Sequence, residues 1–191
     1  MNKFLKIFLL IFVCFSFVFC NQALAQKWNR TFLLIYVPKT EPYYGMMTDA
    51  IDEWIKCTGK KMSVMITIQK RDTAIAEAET EFNIISGEDA KISGAVEFSE
   101  TANYYRHAKM VVNIVEPDES LDEEAKKALK DETYATMLKT AGKMLGVPDS
   151  TDENSIMFVK YKEGQKILAS DKDNFYKAYN WVEPKAPAHK H

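Results

Sequence analysis

Apolar and polar positions alternate in blocks along the chain, and the period of each block predicts an element. Residues 31–37, Thr-Phe-Leu-Leu-Ile-Tyr-Val, are β-rich and stop at Pro38, which predicts a buried first strand. From Tyr43 to Cys57 the apolar residues Met47, Ala50, Ile51, Trp54 and Ile55 fall at gaps of three and four, the stripe of an amphipathic helix closed by Gly59. Val64, Ile66 and Ile68 alternate in a second strand over 62–68, and Glu81–Ile85 forms a third. Gly94-Ala95-Val96-Glu97-Phe98, between polar stretches, predicts a short edge strand, and 109–115 predicts another strand ending before Pro117. Ser120-Leu-Asp-Glu123 has the form of a capping box and opens a long helix with Leu121, Ala125, Ala128, Leu129, Leu138, Ala141 and Leu145 inward, ending at Gly146. Ser170 is expected to cap a last helix carrying Phe175, Ala178, Tyr179 and Trp181. The sum is a mixed α/β (α+β) domain: a twisted sheet of about five strands with an antiparallel edge strand, one early helix, a long helix and a C-terminal helix.

The first 25 residues stand apart. Lys3 and Lys6 precede an apolar run from Ile7 to Phe19, and Ala23-Leu24-Ala25 follows, the three parts of a cleavable secretory signal. The run is shorter than the roughly 20 residues that span a bilayer. Export to the periplasm or the outside, with cleavage after Ala25, is therefore expected, leaving no membrane anchor. Residues 26–182 form one domain of ordinary size, and the Pro-, Ala- and Lys-rich 183–191 a flexible tail. Loss of Lys3 and Lys6 takes the net charge from −2 to −4. Lysines and acids are interspersed, so no basic face offers itself to nucleic acid. Of Cys14, Cys20 and Cys57, only Cys57 outlasts cleavage, as a partly buried thiol or, alternatively, half of an intermolecular bridge.

Catalytic chemistry is hard to assemble. His189 and His191 lie in the tail and His107 just before a strand, which supplies neither a triad nor a metal-ligand set. No Gly-rich phosphate loop appears among the seven glycines.

One segment has a recognisable outline: Lys139-Thr140-Ala-Gly-Lys143-Met-Leu-Gly146-Val-Pro-Asp149-Ser150, followed by Ser155-Ile156-Met157. It resembles the active-site segment of the matrixin-like branch of the metzincin zinc proteases, whose signature H-E-x-x-H-x-x-G-x-x-H precedes a methionine turn. Trp54, the strand order and the helix after Ser170 extend the resemblance over roughly Trp28 to Trp181. It implies a metzincin-like sheet and a substrate cleft beside the edge strand Gly94–Phe98. It places Lys139, Lys143 and Asp149 at the zinc-ligand positions and Thr140 at that of the glutamate base, with Gly146 as the turn glycine and Ser155, Ile156 and Met157 as the methionine turn.

The chain departs from the family where the chemistry resides. Lysine ammonium groups carry no lone pair for a metal, and Asp149 alone could not hold one. No cofactor is expected, although active relatives use zinc. The lysines, four residues apart, face one side of the helix. Either Asp149 bridges both ammonium groups, or both reach into an open cleft. The first functional expectation is an inactive pseudopeptidase that binds a peptide or protein by strand addition. The alternatives are a zinc-dependent metalloendopeptidase with a non-standard or relocated site, where Glu132, Thr136, Thr140, Lys139 and Lys143 share a helix face that could supply a new acid–base pair, and a decayed structural or partner-stabilising protein. Oligomeric state is left open.

Overall fold

The computed structural model describes residues 27–68, 79–86, 91–101 and 104–181. The expected signal segment and its cleavage point, and the tail with His189 and His191, lie outside them. Among the described residues, six strands and three helices follow in the order β1 (Lys27–Trp28), β2 (Phe32–Tyr36), α1 (Tyr43–Cys57), β3 (Ser63–Thr67), β4 (Glu79–Ser86), β5 (Ser93–Thr101), β6 (Tyr104–Ile114), α2 (Glu123–Met144) and α3 (Ala169–Tyr179). The fold is mixed α/β. β1, at two residues, is too short to leave a periodic signal, so the sheet has one strand more than the pattern predicts.

The sheet runs β1-β6-β4-β2-β3, with every neighbouring pair on that path parallel. β5 runs antiparallel to β6 and pairs with no other strand among the described residues. Parallel neighbours need a crossover, and α1 supplies it between β2 and β3. Strand alternation divides the sheet faces. Leu33, Ile35 and Val37 are buried, as are Phe82, Ala108, Met110, Val112 and Ile114, while Phe32, Met65 and Ile85 are exposed.

Met47, Ala50, Ile51 and Trp54 of α1 and Met137, Leu138, Ala141 and Met144 of α2 complete one core. α1 packs on α2, and α2 lies against β5 and β6. Two buried indoles tie these layers: Trp54 Nε1 donates to the Leu138 carbonyl (2.7 Å) and Trp28 Nε1 to the Met144 carbonyl (2.8 Å).

Several sequence readings need correction. α2 starts at Glu123, and its cap is Asp122, not Ser120; Asp122 Oδ1 accepts from Ala125 N at 2.7 Å. A carboxylate there satisfies an orphan N–H and also faces the positive end of the helix. The inward face of α2 is also different. Leu121 is exposed ahead of the helix and Ala128 is exposed within it, whereas Thr133, Met137, Thr140, Gly142 and Met144 are buried. The threonines enter the core because their hydroxyls donate within the helix, Thr133 to the Leu129 carbonyl (2.8 Å) and Thr140 to the Thr136 carbonyl (2.7 Å).

Ser170 lies within α3, whose N-cap is Leu168. The back-bond there comes from Asp171, whose Oδ2 accepts from Leu168 N (2.8 Å). Trp181 follows α3, beyond the left-handed Asn180 (φ 54°), and stacks on Tyr179 with ring centroids 4.6 Å apart. β6 begins at Tyr104, five residues before the expected start, because its first turn of residues pairs with β1 and β5. His107 therefore sits inside a strand, its Nε2 buried without a hydrogen-bond partner.

Candidate functional site

The site is built around the C-terminal end of α2. The helix closes at Leu145, and Gly146 takes φ 86°, a conformation costly for any side chain with a Cβ. Gly146 N donates to the Lys143 carbonyl and Val147 N to the Gly142 carbonyl, both at 2.9 Å. Tyr179 OH donates to the Leu145 carbonyl at 2.7 Å, covering another orphan acceptor. Burial, outweighing a hydrogen bond from Trp28 N, raises the Tyr179 pKa, so the hydroxyl stays a donor at physiological pH. The chain thus turns sharply and brings Asp149 back beside the helix.

Asp149 Oδ1 lies 3.2 Å from Lys143 Nζ. Lys139, one turn earlier, does not share that carboxylate. Its Nζ donates instead to the Phe158 carbonyl and, at 3.0 Å, to the Val159 carbonyl. The two-lysine bridge through Asp149 is therefore corrected to two separate ties, one to a carboxylate and one to backbone. The physical reason is competition: two carbonyls within reach satisfy Lys139 without requiring one carboxylate to serve two cations.

Phe158 and Val159 are in place because the preceding turn is pinned. Ser150 N donates to the Met157 carbonyl (3.0 Å), and Met157 N to Ser155 Oγ (2.9 Å). Ser155 Oγ donates in turn to Oδ1 of the fully buried Asp171 (2.7 Å). Ile156 and Met157 are buried, with Met157 under α2 at Gly142, where Trp54 closes in from α1.

Burial first, and Lys143 second, hold the Lys139 ammonium below its ordinary pKa of 10.5, with Asp149 pulling the other way. The fold therefore binds this proton less tightly than the unfolded chain does. The group's contribution to stability is lowest below the folded-state pKa and rises as pH climbs from there towards 10.5. An NMR titration should show the Lys139 amino group titrating below its ordinary 10.5, and Lys139→Gln should remove the corresponding rise in stability. A Lys139 midpoint at or above 10.5 would contradict this.

β5 forms the opposite wall. A Cβ on Gly94 would overlap Thr140 Oγ1 and lie 3.1 Å from Thr136 Cγ2, so strand and helix touch at that point and only glycine fits. On the C-terminal side of this contact a cleft of about 570 Å³ opens, lined by Gly94, Ala95, Val96, Phe98 and Tyr105 and by Lys143 with residues 146–149. Phe98 and Tyr105 stack with centroids 3.7 Å apart and planes 11° from parallel. Glu97 points elsewhere, to Lys109 at 3.9 Å.

The residues at positions 139, 143 and 149 do not suit zinc. Both lysines present protons rather than lone pairs, and both are already committed to oxygen acceptors. Among the described residues no group of three His, Cys, Asp or Glu is placed to hold a metal ion. The Thr140 hydroxyl donates to the Thr136 carbonyl at 2.7 Å.

Sequence reasoning missed the Phe158 and Val159 carbonyls, which carry no residue-type signal. It also missed Tyr105, for which the pairing of β5 with β6 would have been the clue. Cys57 is a free, half-buried thiol whose Sγ donates to the Glu53 carbonyl at 3.2 Å. Burial, partly opposed by Lys172, raises its pKa, which leaves it a poor nucleophile.

No protein-family model matches the chain, and no curated protein matches it.

Proposed function

We propose that this chain is an exported, catalytically inactive relative of the matrixin-like zinc proteases, and that it binds a peptide or protein in the former substrate cleft. The observation that carries the reading is the strand β5, with one side unpaired among the described residues, beside a cleft of about 570 Å³ at the end of α2. Strand addition needs only backbone groups and side-chain pockets, so it outlives the loss of a metal. Three further features support the protease ancestry: the turn glycine Gly146 with positive φ, Met157 beneath the helix, and Gly94 against the position of the family's base, Thr140. In that reading β5 is the metzincin edge strand, and Lys139, Lys143 and Asp149 stand where zinc ligands once stood.

Secretion follows from the signal-like 1–25. Among the described residues no helix is long and apolar enough to cross a membrane.

The test is elemental analysis of the purified protein, carrying no histidine tag, before and after chelation, together with peptide-binding measurements. Binding of extended peptides without stoichiometric zinc is expected. One tightly held zinc per chain with peptide hydrolysis would overturn the proposal. So would a natively folded protein that retains no peptide.

A further inference from the structure

We propose that Asn29 is the attachment site of an N-linked oligosaccharide, added as the chain is exported. This rests on the export reading of residues 1–25 and is independent of the binding function proposed for the cleft.

The sequence supplies the acceptor. Asn29-Arg30-Thr31 is an Asn-x-Thr tripeptide without proline at its centre, the pattern an oligosaccharyltransferase accepts in an exported chain. Of the nine asparagines, Asn29 alone has a serine or threonine two residues on, so one oligosaccharide is assigned to one place.

The structure supplies the room. The tripeptide is the link between β1 and β2, and all three of its residues are exposed. Trp28, just before it, is buried, with its Nε1 bonded to the Met144 carbonyl at 2.8 Å. Thr31 is held through its backbone, its carbonyl accepting from Ser63 N at 2.8 Å. The link is thus anchored at both ends by groups other than the Asn29 and Thr31 side chains, which stay in solvent. A sugar on Asn29 displaces no core contact, as a bulky, hydrated attachment requires.

The surroundings give the modification a physical consequence. Phe32 follows the tripeptide directly and is 49% exposed, and Met65 on the neighbouring strand is 56% exposed. Exposed apolar surface of this kind favours association. A hydrated oligosaccharide rooted three residues from Phe32 opposes that association by its bulk.

The reaction balances without a redox partner. The donor is an oligosaccharide joined to a lipid pyrophosphate. Asn29 Nδ2 forms a C–N bond to the anomeric carbon of the first sugar. The bond from that carbon to the phosphate oxygen breaks, and the lipid pyrophosphate leaves with the electron pair. The proton lost from Nδ2 passes to a base of the transferase.

The experiment takes the protein from the cells that make it and compares the parent with Asn29→Gln, Thr31→Ala and Thr31→Ser, all at exposed positions. The intact mass of the exported parent should exceed that of its polypeptide by one oligosaccharide. Asn29→Gln and Thr31→Ala should both be exported at the bare polypeptide mass, whereas Thr31→Ser, which keeps the hydroxyl, should remain modified. Release by an amidase that cleaves at the sugar-bearing asparagine should leave aspartate at position 29. An exported parent at the bare polypeptide mass would overturn the proposal and leave export standing. So would a sugar that survives Asn29→Gln. A parent that stays in the cell with residues 1–25 uncleaved and no sugar would overturn the export reading, and the modification with it.

Discussion

A chain carrying Lys139→His, Lys143→His and Asp149→His together is expected to bind one zinc ion with a Kd below about 1 µM, roughly 8 kcal/mol of binding free energy. Positions 139 and 143 lie one helical turn apart on α2, and the Asp149 carboxylate already comes within 3.2 Å of Lys143 Nζ. Three side chains thus converge on one region, as a three-histidine site with an open fourth position requires. The turn that brings position 149 round is fixed by Gly146 and by the hydrogen bonds of residues 146 and 147, none of which the substitutions touch.

The metal-free triple variant should be less stable than the parent, because Lys139 no longer ties α2 to the Phe158 and Val159 carbonyls and Lys143 no longer meets Asp149. Zinc should reverse that loss, adding about 2.7 kcal/mol at a free concentration a hundredfold above Kd. Elemental analysis and thermal melts with and without zinc check both parts. A folded triple variant without stoichiometric zinc would show that these positions do not share a metal-sized centre, and the protease ancestry would lose its main support.

The elements of this fold were legible wherever local periodicity and the final packing agree. α1 spans Tyr43–Cys57 as its spacing of three and four predicts, since its apolar stripe faces α2 and Gly59 follows at φ 57°. β2 and β3 fall within a residue or two of their apolar runs. The N-terminal half of β6 was not legible, because Tyr104–His107 is strand through its partners in β1 and β5 and not through its own pattern. The buried face of α2 was misread for a related reason. Threonines that bond back to their own helix, and a glycine that admits an indole, leave no hydrophobic periodicity to count. At the site, the nearness of Lys143 to Asp149 follows from helix geometry and a glycine turn, both encoded by residue type. The hold on Lys139 comes from two backbone carbonyls, which any sequence would supply. Whether a lysine finds a carboxylate or a carbonyl is decided by tertiary placement, here by how Ser150 and Ser155 pin the preceding turn.

Gly142→Val should lower the unfolding free energy by about 3 kcal/mol, at the upper end of overpacking effects. Glycine inside a helix ordinarily costs up to about 1 kcal/mol relative to alanine, so on propensity alone a replacement would be neutral or helpful. The surroundings decide otherwise. Even a Cβ at 142 would lie 2.8 Å from Met157 Sδ and 2.8 Å from both Cε2 and Cζ2 of Trp54. The indole cannot withdraw, because its Nε1 is bonded to the Leu138 carbonyl and its ring meets Phe175 edge-on at 6.0 Å. Met157 has a flexible side chain, but its backbone is pinned on both sides by Ser150 and Ser155. Relief would therefore come by moving the turn that carries Phe158 and Val159, which would also loosen the hold on Lys139. Gly45→Ala in α1 is the matched control: nothing lies within 4 Å of a Cβ there, so that substitution should stabilise by up to about 1 kcal/mol. Urea denaturation of both variants checks the pair. If Gly142→Val proved as stable as the parent, the close packing of α1, α2 and the Met157 turn would not be the constraint that holds the site in shape.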